Sequence, residues 1–325
     1  VAAGLAPALD LERARGANPW RDRRDLARLR ALCADFAPEL IHAWHTRDHL
    51  LGWRAARGRA PLVRSLSRAE RIPRWLWNRW LFARASQALL LPSRASAAAN
   101  ASLCPGPVRG LLGAVDVERF APAPPDPAVR AALGLTPEQR VVGIVARVQR
   151  HRRFDLLLQA MRRLAERDPL ARLLIVGRGT HLDEVARRPA QALGIAERVV
   201  FAGYRADDYP DVLRAIDVLS FLVPGSDGGC RALLEAQACG IPAVATRRGA
   251  LPEIVADGET GVLVAEDPEA LCQAWLALLT DPARHAAFSR AARARAQALF
   301  TRERLAAEVD EIYRTVLAAG SRKSQ

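Results

Sequence analysis

The chain has 325 residues, half of them hydrophobic, and no run of about 18 apolar residues, so it suits two domains with buried cores and excludes a membrane-spanning helix. Its formal charge of +13 comes almost wholly from arginine, Lys323 being the only lysine; a surface of that sign attracts nucleotide diphosphates, anionic lipid or nucleic acid without choosing among them. Five dispersed cysteines with no C-x-x-C pair argue against a disulfide framework or a zinc site and fit a reducing cytoplasm, and the opening VAAGLAPALDLER lacks the charged and apolar regions of a signal peptide.

In chain order, a polar opening leads to a helix near Asp22–Phe36. Strands are predicted at Leu40–Ala43, Leu62–Ser65 and Ala88–Leu91. Four prolines in Phe120–Pro127 read as a linker. Beyond it, strands are predicted at Val141–Ala146, Leu173–Val176, Val199–Ala202, Val218–Leu222 and Ala243–Thr246, with helices such as Phe154–Glu166 and Pro210–Ala215 between them. Apolar strands alternating with helices mean parallel sheets covered on both faces. The expected units are residues 1–119, residues 120–300, and a terminal helix with its tail at 301–325, packing back on the first unit. A Rossmann-like half opens on a strand and a Gly-rich turn. This chain opens on a loop and a helix, so its first unit is expected to lack about one βαβ unit of some 30 residues.

Residues 53–84 are the most basic and aromatic stretch, with nine arginines against Glu70 alone, and Trp53, Trp75, Trp77, Trp80 and Phe82 interleaved. Two readings fit. One is a patch that meets an anionic membrane. The other is a helix packed on the sheet with a solvated basic face, favoured by the i, i+4 spacing of Ile72, Leu76 and Trp80.

The segment VLSFLVPGSDGGCRALLEAQACGIPAVATRRG reads as a strand, a turn-rich loop, a helix from about Cys230 to a capping Gly240, and a second strand. Its loop lies at the carboxyl end of a strand, where open α/β sheets bind ligands. Free amides at the helix start, beside the side-chain-free Gly228 and Gly229, can approach a diphosphate. Asp227 can accept hydrogen bonds from sugar hydroxyls, and Glu235 can reach a ribose diol. Taken alone, the pattern favours the plainer reading, in which Asp227 only N-caps the helix and Glu235 is a solvated or locally paired carboxylate.

The segment resembles the GT-B retaining glycosyltransferases of group 1. Their acid, seven residues, Glu, "A-x-A-x-G-x-P-V-V" is matched by Asp227, Glu235, Ala236, Ala238, Gly240, Pro242 and Ala243–Val244, with Asp in the place of the first Glu. ARLLIVGRG (171–179), RVVFAGY (198–204), RRGALPEIVADGETGVLV (247–264) and GLLGAVDVERFAP (110–122) resemble further motifs of that family. VARVQRHRRFDLLLQA (145–160) resembles its "G-R-l-x-x-x-K-G", with Arg147 and Arg152 as the two basic residues and Arg153 where Gly is usual.

The resemblance implies a GT-B fold, two Rossmann-like domains facing a cleft. It implies transfer of a sugar, with retention, from a nucleotide-diphosphate sugar to a glycan or lipid-linked acceptor, in envelope polysaccharide or lipopolysaccharide synthesis. Asp227, Arg147 and Arg152 would be catalytic. Glu235, Gly228, Gly229, Cys230, Gly177, Gly203 and Tyr204 would bind donor. Ser67 stands where many members carry a His, and His45, from the HAWHTRDH run, is the other acceptor-side candidate. No D-x-D motif and no metal-ligand cluster is found, so no metal or other cofactor is expected. No nucleic-acid module is recognised and no nucleic-acid partner is expected. The expected location is the cytoplasm, at the inner face of the membrane. A sugar-nucleotide-binding protein without turnover is the competing reading, motivated by Asp227, Ser67 and the short first unit.

Overall fold

The structure, a computed structural model, describes residues 19–67, 71–224 and 228–321. Asp227 therefore lies outside the described residues. The first part runs α1 (Pro19–Phe36), β1 (Ile41–Ala43), α2 (Thr46–Ala56), β2 (Leu62–Ser65), α3 (Leu76–Ala85), β3 (Ala88–Leu91), α4 (Arg94–Asn100) and β4 (Val108–Gly110). The four strands form one parallel sheet in the order β1-β2-β3-β4.

The second part continues with α5 (Pro127–Ala132), β5 (Arg140–Val145), α6 (Phe154–Arg167), β6 (Ala171–Val176), α7 (Arg188–Ala192), β7 (Val199–Gly203), α8 (Tyr209–Arg214), β8 (Val218–Phe221), α9 (Arg231–Ala238), β9 (Ala243–Thr246), α10 (Leu251–Ile254), β10 (Gly261–Val264), α11 (Pro268–Leu279), α12 (Pro282–Leu299) and α13 (Arg302–Ser321). Its strands form a six-stranded parallel sheet in the order β10-β9-β8-β5-β6-β7. Two apolar layers cover this sheet. One is built around Trp275, Phe154 and Leu157, the other around Leu233, Leu251 and Phe300.

Strand order explains where a ligand can enter. From β5 the chain steps to β6 and β7 on one side, then returns to β8, β9 and β10 on the other. Beta5 and β8 pair over only Val142↔Val218 and Gly143↔Leu219. Their carboxyl ends therefore part and leave a crevice at the switch point. Gly143 makes room beside that pairing for the Ile216 side chain, whose Cδ1 would lie 2.3 Å from a Cβ there.

Several expectations are corrected. The linker expected over Phe120–Pro127 is shorter: Phe120 is buried and stacks edge-on against Tyr209 at 5.8 Å, while Asp126 caps α5 and Pro127 begins it. Ile72 packs on the core, but Leu76 and Trp80 do not, being 85% and 40% exposed; the buried face of α3 is Leu81, Phe82 and Ala85. The short strands β4 and β10 were not expected.

The terminal helix α13 places Ile312 and Val316 against Val63, Ala88 and Leu90 of the first sheet. Tyr313 reaches His42 Nδ1 at 2.5 Å, and His42 Nε2 meets Ser65 Oγ at 2.7 Å. A second tie crosses between the two parts. The Glu253 carboxylate accepts from the backbone amides of Arg94 and Ala95, both at 2.8 Å.

Candidate functional site

The carboxyl ends of β5, β6 and β7 are drawn together backbone to backbone. Ala146 N donates to Val176 O at 3.0 Å, and Gly177 N donates to Gly203 O at 2.8 Å. Gly177 has φ +138°, and a Cβ on it would sit 2.1 Å from Ala146 O. Only glycine fits that crossing. Above it opens a cavity of about 1060 Å³.

Arg147 rises from the end of β5, Arg178 from the turn after Gly177, and Tyr204 from the turn after β7. Arg178 lies over the Tyr204 ring, its guanidinium 4.9 Å from the centroid. That contact braces an aromatic face exposed to the cavity. Glu235 closes the far wall from the second turn of α9. Tyr209, at the start of α8, donates to Glu235 Oε2 at 2.8 Å. Six arginines and three carboxylates line the cavity, so its wall is net positive.

Burial pushes the Glu235 carboxyl above its ordinary pKa, and the Tyr209 hydroxyl, Arg231 and Arg119 pull it partly back. Burial and the neighbouring Glu235 charge raise the Tyr209 phenol, which stays a donor. A buried acceptor fixed by a phenol, facing cations across an open space, suits a ligand that pairs hydroxyls with an anion.

The expected site residues separate into groups. Arg147, Gly177, Tyr204 and Glu235 line the cavity. Gly203 forms its floor through the bond to Gly177. Cys230 turns its side chain into the core, 1% exposed, and caps α9 with φ +50°. Arg152 donates to Val223 O at 2.9 Å, just before the loop that holds Asp227. Arg153 takes φ +58°, the conformation that explains a preference for glycine at that place.

Gly228 marks where the two parts meet. It has φ +61°, and a Cβ there would lie 2.4 Å from Ser67 O and 2.8 Å from Pro92 Cγ. Gly229 lies alongside Gly113, whose own Cβ would be 3.3 Å from Gly229 O. Ser67, exposed after β2, thus borders the loop before α9. His45 is the exposed N-cap of α2, its amide donating to Asp48 Oδ2 at 3.2 Å. His42 is the more integrated histidine. Burial and the nearby Arg64 lower its pKa, so it is held neutral between Tyr313 and Ser65.

Comparison with known proteins decides the family. Residues 139–281 match the family model described as Glycosyl transferases group 1. Over 250 residues the chain is 32% identical to the lipopolysaccharide core biosynthesis mannosyltransferase LpsB of Rhizobium meliloti strain 1021, covering 74% of this chain and 69% of that one. The chain belongs to the group 1 glycosyl transferases. It is also 40% identical, over 190 residues, to a GDP-mannose-dependent alpha-(1-6)-phosphatidylinositol monomannoside mannosyltransferase of Mycolicibacterium smegmatis, covering 55% of this chain and 49% of that protein. It therefore spans about half the length of that relative.

Among solved structures, Anabaena Alr3699/HepE in complex with UDP superposes with a TM-score of 0.76 at 22% identity, over 89% of this chain and 82% of that one. A glycosyltransferase from Rickettsia africae gives a TM-score of 0.79 at 16% identity, over 94% of this chain and 84% of that one. The two parallel-sheet α/β domains of this group 1 glycosyl transferase are the GT-B architecture.

Tyr209, Arg178, Arg231 and Phe120 were missed by sequence reasoning. Tyr209 sits one residue before the predicted helix at Pro210, and nothing local marks it as a partner of a carboxylate 26 residues on. The adjacency arises only when β7 and α9 fold to opposite sides of the switch point.

Proposed function

We propose that this chain is a retaining glycosyltransferase that moves a sugar from a nucleotide-diphosphate sugar to a glycan or lipid-linked acceptor in cell-envelope polysaccharide or lipopolysaccharide synthesis. The observation that carries the reading is the cationic cavity with the Tyr209–Glu235 pair set into its wall. Mannose is the proposed sugar, in line with the names of relatives in Rhizobium and Mycolicibacterium.

In this reading residues 120–300 hold the donor, residues 1–119 receive the acceptor, and the segment 301–325 ties the two. Glu235 and Tyr209 take the ribose hydroxyls, and the Tyr204 ring offers a stacking face to the base. Arg147 and Arg152 neutralise the diphosphate, with the loop of Gly228 and Gly229 beside it. The bond from the anomeric carbon to the diphosphate oxygen breaks as the acceptor oxygen bonds on the same face. The acceptor proton passes to the leaving phosphate oxygen. Negative charge on that group peaks in the transition state, where fixed guanidinium groups stabilise it most. The reading assigns that task to arginine and invokes no metal or other cofactor. Asp227 would orient the sugar hydroxyls. The proposed setting is the cytoplasmic face of the membrane.

The test incubates the chain with GDP-mannose, UDP-glucose and other common donors, with membrane extract as acceptor, and reads the product's anomeric configuration by NMR. Transfer with the donor's configuration kept is expected. Absence of both transfer and donor hydrolysis with every donor would sink the proposal, and donor binding without turnover would favour a sugar-nucleotide-binding protein instead.

A further inference from the structure

Helix α3 carries an unusual surface. Trp75, Leu76, Trp77 and Trp80 are 73%, 85%, 50% and 40% exposed. Trp77 stacks on Trp80 at 5.1 Å, and Trp80 meets Trp53 edge-on at 5.4 Å. The rings thus form one continuous ladder across α3 and α2 rather than isolated exposed side chains. Arg71, Arg74, Arg79 and Arg84 surround it, all exposed, as do Arg54 and Arg57 on the α2 side.

Charge is sharply one-sided here. Between Asp48 and Asp116 the sequence holds eleven arginines and a single carboxylate, Glu70. This one stretch accounts for +10 of the net +13. Large apolar side chains set in so basic a stretch are costly to leave in water and repel a second surface of like sign.

We propose that the exposed face of α3 is a membrane-docking wedge that lies in the headgroup layer of an anionic lipid bilayer. Tryptophan rings favour that layer because each joins an apolar body to a polar N–H. Arginines beside them pair with lipid phosphates, and their aliphatic stems cover apolar surface on the way. Among the described residues no helix is long and apolar enough to cross a membrane. A surface helix lying in the interface makes such contact without crossing the bilayer.

The geometry also ties the wedge to the cleft. The chain leaves β2 at Ser65, passes Ser67 where it borders Gly228, and enters α3 at Leu76. Eight residues lie between Ser67 at the cleft edge and Leu76 at the start of the wedge. A lipid-linked acceptor held by the same bilayer would then present its head group near the cleft. That last step rests on the glycosyltransferase reading, whereas lipid binding itself does not involve the donor.

The experiment is co-sedimentation of the full chain, without nucleotide, with vesicles of phosphatidylglycerol and phosphatidylethanolamine or of phosphatidylcholine alone. Three variants accompany it: L76S/W77S, R79E/R84E, and the two pairs combined. All four positions are exposed, so an unchanged thermal midpoint confirms an intact fold. Binding to the anionic vesicles only is expected, falling about tenfold or more in each double variant and weakening with salt. Failure of the parent chain to bind anionic vesicles would overturn the proposal. So would undiminished binding of L76S/W77S, which would mean charge acting elsewhere. A parent dimer that L76S/W77S turns into monomer would assign the face to a second copy of the chain and also overturn it. Any of these outcomes leaves the transferase test untouched.

Discussion

Removing the Glu253 carboxylate should loosen the cleft at one identifiable point. Helix α4 begins with amides that have no intrahelical acceptor. Ser93 Oγ takes the amide of Ser96, and the two oxygens of Glu253 take those of Arg94 and Ala95 at 2.8 Å each. Glu253 belongs to α10, so this cap joins the two parts of the chain. It also fixes the turn at Pro92 that touches Gly228. Hydrogen bonds to a charged acceptor contribute about 1.5–3 kcal/mol each when buried. Glu253 is half-exposed, which reduces the pair to about 2 kcal/mol together. In Glu253→Ala, amide exchange at Arg94 and Ala95 should therefore quicken by about 30-fold, read by mass spectrometry or NMR, while exchange in β5 and β6 stays unchanged. Glu253→Gln keeps one acceptor oxygen and should fall between. Equal exchange at Arg94 and Ala95 in the parent and Glu253→Ala would refute the idea of a cross-cleft cap.

Three further outcomes are expected. Gly177→Ala places a Cβ against Ala146 O at a φ that alanine resists, and should cost about 3 kcal/mol or more, seen as a lowered thermal midpoint; an unchanged midpoint would contradict the close crossing. Tyr209→Phe removes the hydroxyl bound to Glu235 Oε2 and should weaken nucleoside diphosphate binding about tenfold by calorimetry; it leaves that buried carboxylate oxygen without its donor, so stability should also fall by about 1–3 kcal/mol. Glu235→Gln should change the pH dependence of stability. The folded-state pKa of Glu235 is raised, so between its ordinary and raised values the folded chain holds an extra proton, and parent stability falls as pH rises through that window. The Gln variant lacks that slope, so its advantage in thermal midpoint should be smallest at low pH and grow toward neutrality; parallel profiles would show that burial does not strain this carboxyl.

The fold was legible where local and global demands agree. Ala88–Leu91 and Ala243–Thr246 are uninterrupted or nearly uninterrupted apolar runs inside parallel sheets, Leu62–Ser65 opens on the apolar pair Leu62–Val63, and the bounds of all three match the observed strands. Strand β4 escaped because Val108–Gly110 is only three residues long and follows Pro107, with one branched apolar side chain to mark it. Helix α3 misled for a physical reason. Ile72, Leu76 and Trp80 have helical spacing, but Ile72 precedes the helix, so the three do not share one helical face. Periodicity also cannot tell an apolar stripe facing the sheet from one facing outward. The Phe120–Pro127 segment misled because its prolines outweigh one buried phenylalanine in composition alone.

At the site, the local motif around Glu235 was readable because a strand, loop and helix are contiguous in sequence. Its environment was not. The Tyr209 bond, the Arg178–Tyr204 stack and the contact of Gly228 with Ser67 join residues between 26 and 161 positions apart, and only the strand order brings them together.

The most direct test of the central claim is calorimetric titration of the full chain with GDP and with UDP, beside Arg147→Ala and Glu235→Ala. If the cavity is a donor site, one of the two nucleotides binds the parent at a single site, and each variant loses about tenfold or more of that affinity. Absence of binding by both nucleotides, or equal binding by the parent and both variants, would contradict it.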